Sequence, residues 1–405
     1  MKTIFLICIF MFVLSCTLKK NSSNNSLPQG PLNLLMDKSF KKAMLTLAFD
    51  GKRVAIRLND GDANEFDVDT GAIKNYSISS WCKSEDKFIA GLLSDGIMVA
   101  CGNSLYAVLE NQPPKKIHEF KDRIRWADSS GNDVLALTSN DEYGYFSDGK
   151  LILQGKQERG ELRSGDGYLE LYQKNSKLSS AIYFQNGKVE GKCEISSQED
   201  IYGMGIISGT HYAYGYKLER GGEDFILVGI DCSKKSIIWK KSFREDIFKL
   251  PARNNNSVGE ISVSRVCGQK ICLNISTNDL SFPGSAQTGV YCVSAENGDH
   301  FWSSFNTFKT DPPINNNLNI VGPMVCDNQK IVAFKNSAPF ILSEDVTAKT
   351  EKFQNYVADG TIKQLAEYSR PSEMAYLTTS TVFLPKVSKG RIAIWVGEHL
   401  IVLGK

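Results

Sequence analysis

Eight times along this chain a Gly or Asn turn leads into a short run of alternating or continuous apolar residues. The runs start at Gly51 (GKRVAIRL), Gly96 (GIMVACGNSLYAV), Asn132 (NDVLALT), Gly167 (GYLELY), Gly209 (GTHYAYGY), Gly268 (GQKICLNI), Asn328 (NQKIVAF) and Gly390 (GRIAIWVGEHLIVL), at intervals of 45, 36, 35, 42, 59, 60 and 62 residues. Short apolar runs bounded by turns read as strands, and regular recurrence reads as one supersecondary unit copied many times. Composition agrees: 33 Gly, 21 Phe and 15 Tyr suit a turn-rich β protein. A 42% hydrophobic content excludes intrinsic disorder, and 47 Lys plus Arg against 45 Asp plus Glu give no basic field for nucleic acid.

Units of about 40 to 50 residues, each supplying four antiparallel strands, are the blades of a β-propeller. The chain is therefore expected to be all-β, a single propeller of eight four-stranded blades, with seven as the alternative. Stacked sandwiches are the competing arrangement, because strand periodicity fixes no topology. Gly390 to Leu403 supplies only two strands before the chain stops, so closure calls for an N-terminal strand, sought between Pro31 and Ala48 and including Ala43-Met44-Leu45-Thr46-Leu47. Joining the chain ends in this way removes two exposed sheet edges.

Two windows carry a more specific pattern. Leu227-Val228-Gly229-Ile230-Asp231 runs into Ser236-Ile237-Ile238-Trp239, and Val290 to Trp302 repeats the arrangement, with Val68-Asp69-Thr70-Gly71-Ala72-Ile73 a weaker copy that lacks the Trp. These segments resemble the pyrroloquinoline-quinone-like propeller repeat, in which a strand ends near a polar residue, turns, and returns to finish in an indole that covers the gap between blades. Quinoprotein dehydrogenases share that repeat, and the resemblance to them would imply a vicinal disulfide and acidic calcium ligands. No two cysteines are adjacent and no CxxCH is present. Neither catalytic residues nor a cofactor is therefore assigned, and a non-enzymatic role is expected. The segment Asp60-Gly61-Asp62-Ala63-Asn64 lacks the sixth-position Gly and twelfth-position Glu of a calcium loop and reads as an acidic hairpin turn. His118, His211, His300 and His399 lack paired-ligand spacing, so no metal site is assigned.

At the N-terminus Met1-Lys2-Thr3 precedes an uninterrupted apolar run from Ile4 to Leu14, long enough for a secretory signal and too short to span a bilayer. It ends in Val13-Leu14-Ser15-Cys16, which resembles the bacterial lipobox. That resemblance implies a signal peptide at 1–15 and a lipidated Cys16 carrying palmitate-like chains, since several chains are needed for a durable anchor. A flexible Ser/Asn/Pro-rich tether is expected over 16–33 and the propeller over 34–405. The implied address is the cell envelope, at the outer membrane, on either its periplasmic or its surface face.

An exported compartment permits disulfides among Cys82, Cys101, Cys193, Cys232, Cys267, Cys272, Cys292 and Cys326. The eight thiols allow 105 connectivities; Cys82 with Cys101 is the favoured pair, and Cys267 with Cys326 is not expected to pair. Trp81, Trp126, Trp239, Trp302, Trp395 and Tyr212 are read as blade packing rather than as a ligand platform. The polar stretches Lys249–Ser257 and Phe305–Leu318 stand in the same repeat phase and are expected on one rim, where binding loops are commonly built. In function the chain resembles the propeller lipoproteins of outer-membrane barrel assembly, implying a lipid-anchored scaffold that docks envelope proteins through its rim loops. Two alternatives stay open: an enzyme or small-ligand receptor using the central channel, and a surface adhesin.

Overall fold

The computed structural model describes residues 32–404 apart from 41–43, 59–61, 157–158, 166, 208–210, 220–223, 243–244, 247–257, 268–269, 278–286, 308–319, 327–329, 336–337, 344–353, 356–382 and 397–398. Its strands form eight four-stranded antiparallel sheets. Seven are consecutive meanders, spanning 44–76, 87–119, 124–156, 159–196, 201–242, 258–307 and 320–355. The eighth combines Phe383–Ser388, Arg391–Val396 and His399–Gly404 with the N-terminal strand Asn33–Ser39.

Sheets one to four and six to eight meet their neighbours along their first strands, as do sheets eight and one. The first strand of sheet five packs on the second and third strands of sheet four, and sheets five and six share one apolar layer, so the sheets form a closed ring with first strands innermost. The core is correspondingly a series of layers between sheets. Leu135 and Leu137 face sheet four, whereas Val134 and Ala136, from the same strand, face sheet two. Both faces of that second strand are covered, which is why it reads as the unbroken run VLAL rather than as alternation. Each of the eight sequence repeats leads into the second strand of one sheet.

Outermost strands solve a different problem, because one edge lacks a partner. In sheets two to six the outermost strand carries a register shift a few residues after the turn that starts it. Such bulges twist an edge away from further pairing. The closing strand has the same shift, between Leu34 and Met36, so it is built like the other outer strands. The closing strand, Asn33–Ser39, lies inside the window Pro31 to Ala48 named from sequence, whereas the stretch singled out within that window, around Met44–Leu47, becomes the innermost strand of sheet one.

Candidate interaction surfaces

Strand alternation gives the ring two unlike ends. The turns joining strands one to two and three to four lie at one end, and because Asn33 pairs with Gly404 the N-terminal segment enters there too. We call this the tether end. The other end carries the two-to-three turns and all sheet-to-sheet connections, and is the crossover end.

At the tether end successive sheets are clasped by polar groups next to the turns. Arg391 of sheet eight donates to the Gly51 carbonyl at 3.1 Å and pairs with Asp69 at 2.7 Å. Arg53, held by the Asp50 carboxylate, donates to the Leu93 carbonyl of sheet two at 2.6 Å. The Ser94 N–H and hydroxyl donate to Asp148 of sheet three at 2.8 and 3.1 Å. Asp133 accepts the Gly187 N–H of sheet four at 3.0 Å and the Tyr145 hydroxyl at 2.7 Å. Glu170 accepts the Ile206 N–H of sheet five at 2.8 Å, and the Cys193–Cys232 disulfide ties the same two sheets covalently. Burial pushes the Tyr145 phenol above its ordinary range, and its hydrogen bond to Asp133 adds to the shift. Hydrogen bonds from the Ser233 hydroxyl and the Lys234 N–H hold Asp231 well below the usual carboxylate range. Burial tends to raise Asp67, but hydrogen bonds from Thr70 and the charge of Lys52 bring it below its usual value. These are charged clasps, chemically suited to rigidity.

At the crossover end the connections differ in length. Residues 243–257, 308–319 and 356–382 each join an outermost strand to the next sheet's innermost strand. The two polar stretches singled out by sequence fall largely in the first two of these and lie outside the described residues, apart from Phe305–Thr307 at the end of a strand. Their flanking strands root both at the crossover end. Leu45 and Trp126 lie near this end, at register shifts in the innermost strands of sheets one and three. Trp126 is 50% exposed and so is not blade packing as sequence suggested; the shift at Arg125 turns it out of the layer that buries its neighbour Ile124. On the ring axis Lys386, from the innermost strand of sheet eight, is ion-paired with Asp128 from that of sheet three. Trp81 and Tyr106 pack together here, with centroids 5.0 Å apart, above the Cys82–Cys101 disulfide, which ties the connection entering sheet two to that sheet's second strand.

Other residues named from sequence fall as follows. Cys16 and Asp60 lie outside the described residues, as do the side chains of Cys267, Cys326 and Trp302. Cys272 and Cys292 form a disulfide between directly opposed positions in sheet six. His399 lies 2.8 Å from Asp37 of the closing strand, while His211 and His300 lie against Tyr212 and Tyr291. Among the described residues no group of three or more His, Cys, Asp or Glu side chains is placed to hold a metal ion.

His118, in the outermost strand of sheet two, packs edge-on against Phe120 at 4.5 Å, and its buried Nε2 has no hydrogen-bond partner among the described residues. Burial lowers its pKa, with Glu142 pulling weakly the other way. The unfolded chain therefore takes up this proton first as pH falls through about 6.5, and stability is lost over that window. Replacing it by His118→Phe is expected to flatten the fall in melting temperature between about pH 7.5 and about pH 5.5. An unchanged slope would show that other groups set the acid sensitivity.

Seven meandering four-stranded sheets and an eighth completed by pairing of the chain ends define an eight-bladed β-propeller. Among solved structures the chain is similar to BamB from Moraxella catarrhalis, at 12% identity and a TM-score of 0.50, covering 92% of this chain and 98% of that one. The computationally designed Ika8 protein is similar at 10% identity and a TM-score of 0.50, covering 93% and 99%. At such identities the likeness concerns the fold alone. No protein-family model matches the chain, and no curated protein matches it.

Proposed function

We propose that this chain is a lipid-anchored, non-enzymatic scaffold of the bacterial cell envelope, held by Cys16 and docking envelope proteins through its crossover end in the assembly of outer-membrane proteins. The observation that carries the reading is the opposition of the two ends. The N-terminal segment leaves from the rim where polar groups clasp sheets eight, one, two, three, four and five in succession, and the long connections leave from the other. A rigid ring with a tether on one side and loops on the other is the layout of a platform. Three disulfides, Cys82–Cys101, Cys193–Cys232 and Cys272–Cys292, agree with an oxidising, extracytoplasmic compartment. The fold-level likeness to BamB is consistent with the same setting.

In cells, a photoreactive side chain at Lys121 of the crossover end is expected to capture a discrete envelope protein, and one at Lys52 of the tether end is not. Cys16→Ala is expected to move the chain from the membrane fraction to the soluble fraction. Capture of no envelope protein at Lys121, together with saturable small-ligand binding, would overturn the scaffold reading. A Cys16→Ala chain that still sediments with membranes would overturn the anchor.

A further inference from the structure

Seven large apolar side chains stand exposed among the described residues, and five of them lie beside tether-end turns: Ile73 (50%), Leu151 (41%), Ile152 (45%), Val189 (46%) and Ile238 (38%). All five occupy the opening residues of outermost strands, in sheets one, three, four and five. Lysine accompanies them: Lys74 beside Ile73, Lys150 before Leu151, Lys188 before Val189, and Lys234 and Lys235 before Ile238. In sheet two the outermost strand likewise opens Lys115-Lys116-Ile117. Edge protection accounts for the lysines, which discourage strand addition, but an exposed aliphatic residue on the same edge works against it. The pairing calls for a surface that takes both.

We infer that the outer margin of the tether end rests on an anionic phospholipid surface, the lysines meeting headgroups and the aliphatic side chains entering the interface. Amphipathic surfaces bind membranes through this combination of cationic and apolar groups. Two observations select lipid as the occupant. The chain enters the ring at this end, through Asn33, so on the lipoprotein reading, on which the inference rests, the anchor holds this rim towards the bilayer. The arc is also biased in charge where the acids are already engaged. Asp67 is paired with Lys52, Asp69 with Arg391, Asp148 is bonded to Ser94, Asp231 is bonded to its own turn and paired with Lys234, and Glu194 is paired with Lys192 and Lys235. Lys74 and Lys116 are taken up by Glu65 and Glu119, while Lys115, Lys150 and Lys188 form no ion pair among the described residues. Glu110 and Glu190 interrupt the arc without reversing it.

The test uses a chain beginning at Thr17, which keeps every strand of the ring and carries no acyl group. It is expected to co-sediment with vesicles of phosphatidylcholine and phosphatidylglycerol, and not with phosphatidylcholine alone. Because each lysine near an anionic surface multiplies affinity several-fold, the triple variant Lys115→Glu, Lys150→Glu, Lys188→Glu is expected to lower partitioning on the order of 100-fold. A second triple variant, Leu151→Gln, Val189→Gln, Ile238→Gln, is expected to lower it while leaving the charge unchanged, and exposed sites such as these tolerate polar replacement without loss of folding. Absence of binding to anionic vesicles would overturn the inference, as would equal binding by the charge-reversed chain or protein capture from this arc in place of lipid. Failure of the anchor is read separately, from Cys16→Ala in cells, since the vesicle assay contains no lipidated protein.

Discussion

A chain lacking its last ten residues is expected to lose cooperative unfolding altogether. The cut removes His399–Gly404, the third strand of sheet eight, and with it the partner of Asn33–Ser39. Leu400, Ile401, Val402 and Leu403 are all completely buried there. Four such side chains at about 1.5–3 kcal/mol each are worth roughly 6–12 kcal/mol, comparable with the whole stability of a typical domain, about 5–15 kcal/mol. Nothing else can replace the strand, because the layer between sheets eight and one is shared: Leu400 and Val402 pack in one cluster with Met36, Val54, Ile56 and Phe66. Removing residues 1–39 takes away the other half of the same seam, including the contact between Asp37 and His399, and is expected to give the same loss. Removing only residues 1–31 spares every strand and should leave melting unchanged. Circular dichroism melts with limited proteolysis of the three chains check this; a sharp transition in the ten-residue truncation would show that the ring does not depend on its closure.

The ease of finding the second strands, and the difficulty of finding the closing strand, have one physical cause. A second strand such as Val134–Leu137 lies between two neighbouring sheets, so every residue is apolar and the preceding turn must be tight; both signals survive in sequence. Asn33–Ser39 covers only one layer and carries Asp37 and Lys38, so it reads like tether, while the more apolar Ala43–Leu47 looks the better strand. Edge strands are polar because they are edges. The same limit applies to Cys193 and Cys232, which come together only because sheets four and five are adjacent. Trp126 shows the converse case: its residue type suggested packing, and a one-residue register shift, invisible to periodicity, placed it outside. The lysine and aliphatic pairs of the outer strands are legible as residues, but their common location at one end appears only once the strands are paired.

The indole of Trp239 is where repeat chemistry and ring stability meet, and its removal is expected to cost a large share of the stability of the ring. Trp239 lies in the middle of the outermost strand of sheet five, Ser236–Ser242, and is only 9% exposed. Its Nε1 donates to the Ala295 carbonyl of sheet six at 2.8 Å, while its ring packs in one cluster with Tyr214, Leu227, Ile271 and Tyr291. Two glycines make the slot. A Cβ at Gly229, its cross-strand partner, would lie 2.0 Å from Trp239 Cε2, and one at Gly298, in the sheet-six turn with φ at +71°, would lie 2.7 Å from Cδ2. Trp239→Ala leaves a cavity in this layer and is expected to cost about 3–5 kcal/mol. Trp239→Phe keeps much of the apolar area and loses the donor to Ala295, for a smaller loss of about 1–3 kcal/mol. Gly298→Val attacks the slot from the other side, through a left-handed backbone unsuited to a β-branched residue and through overpacking, with an expected cost of about 2–5 kcal/mol. Because Trp239→Ala empties the space that the Gly298→Val side chain needs, the double variant is expected to lose less than the sum of the single losses. Denaturant midpoints for the four chains measure this. Equal midpoints for wild type and Trp239→Ala would remove the indole from the forces holding sheets five and six, and strict additivity would show that Gly298 is constrained by its backbone alone.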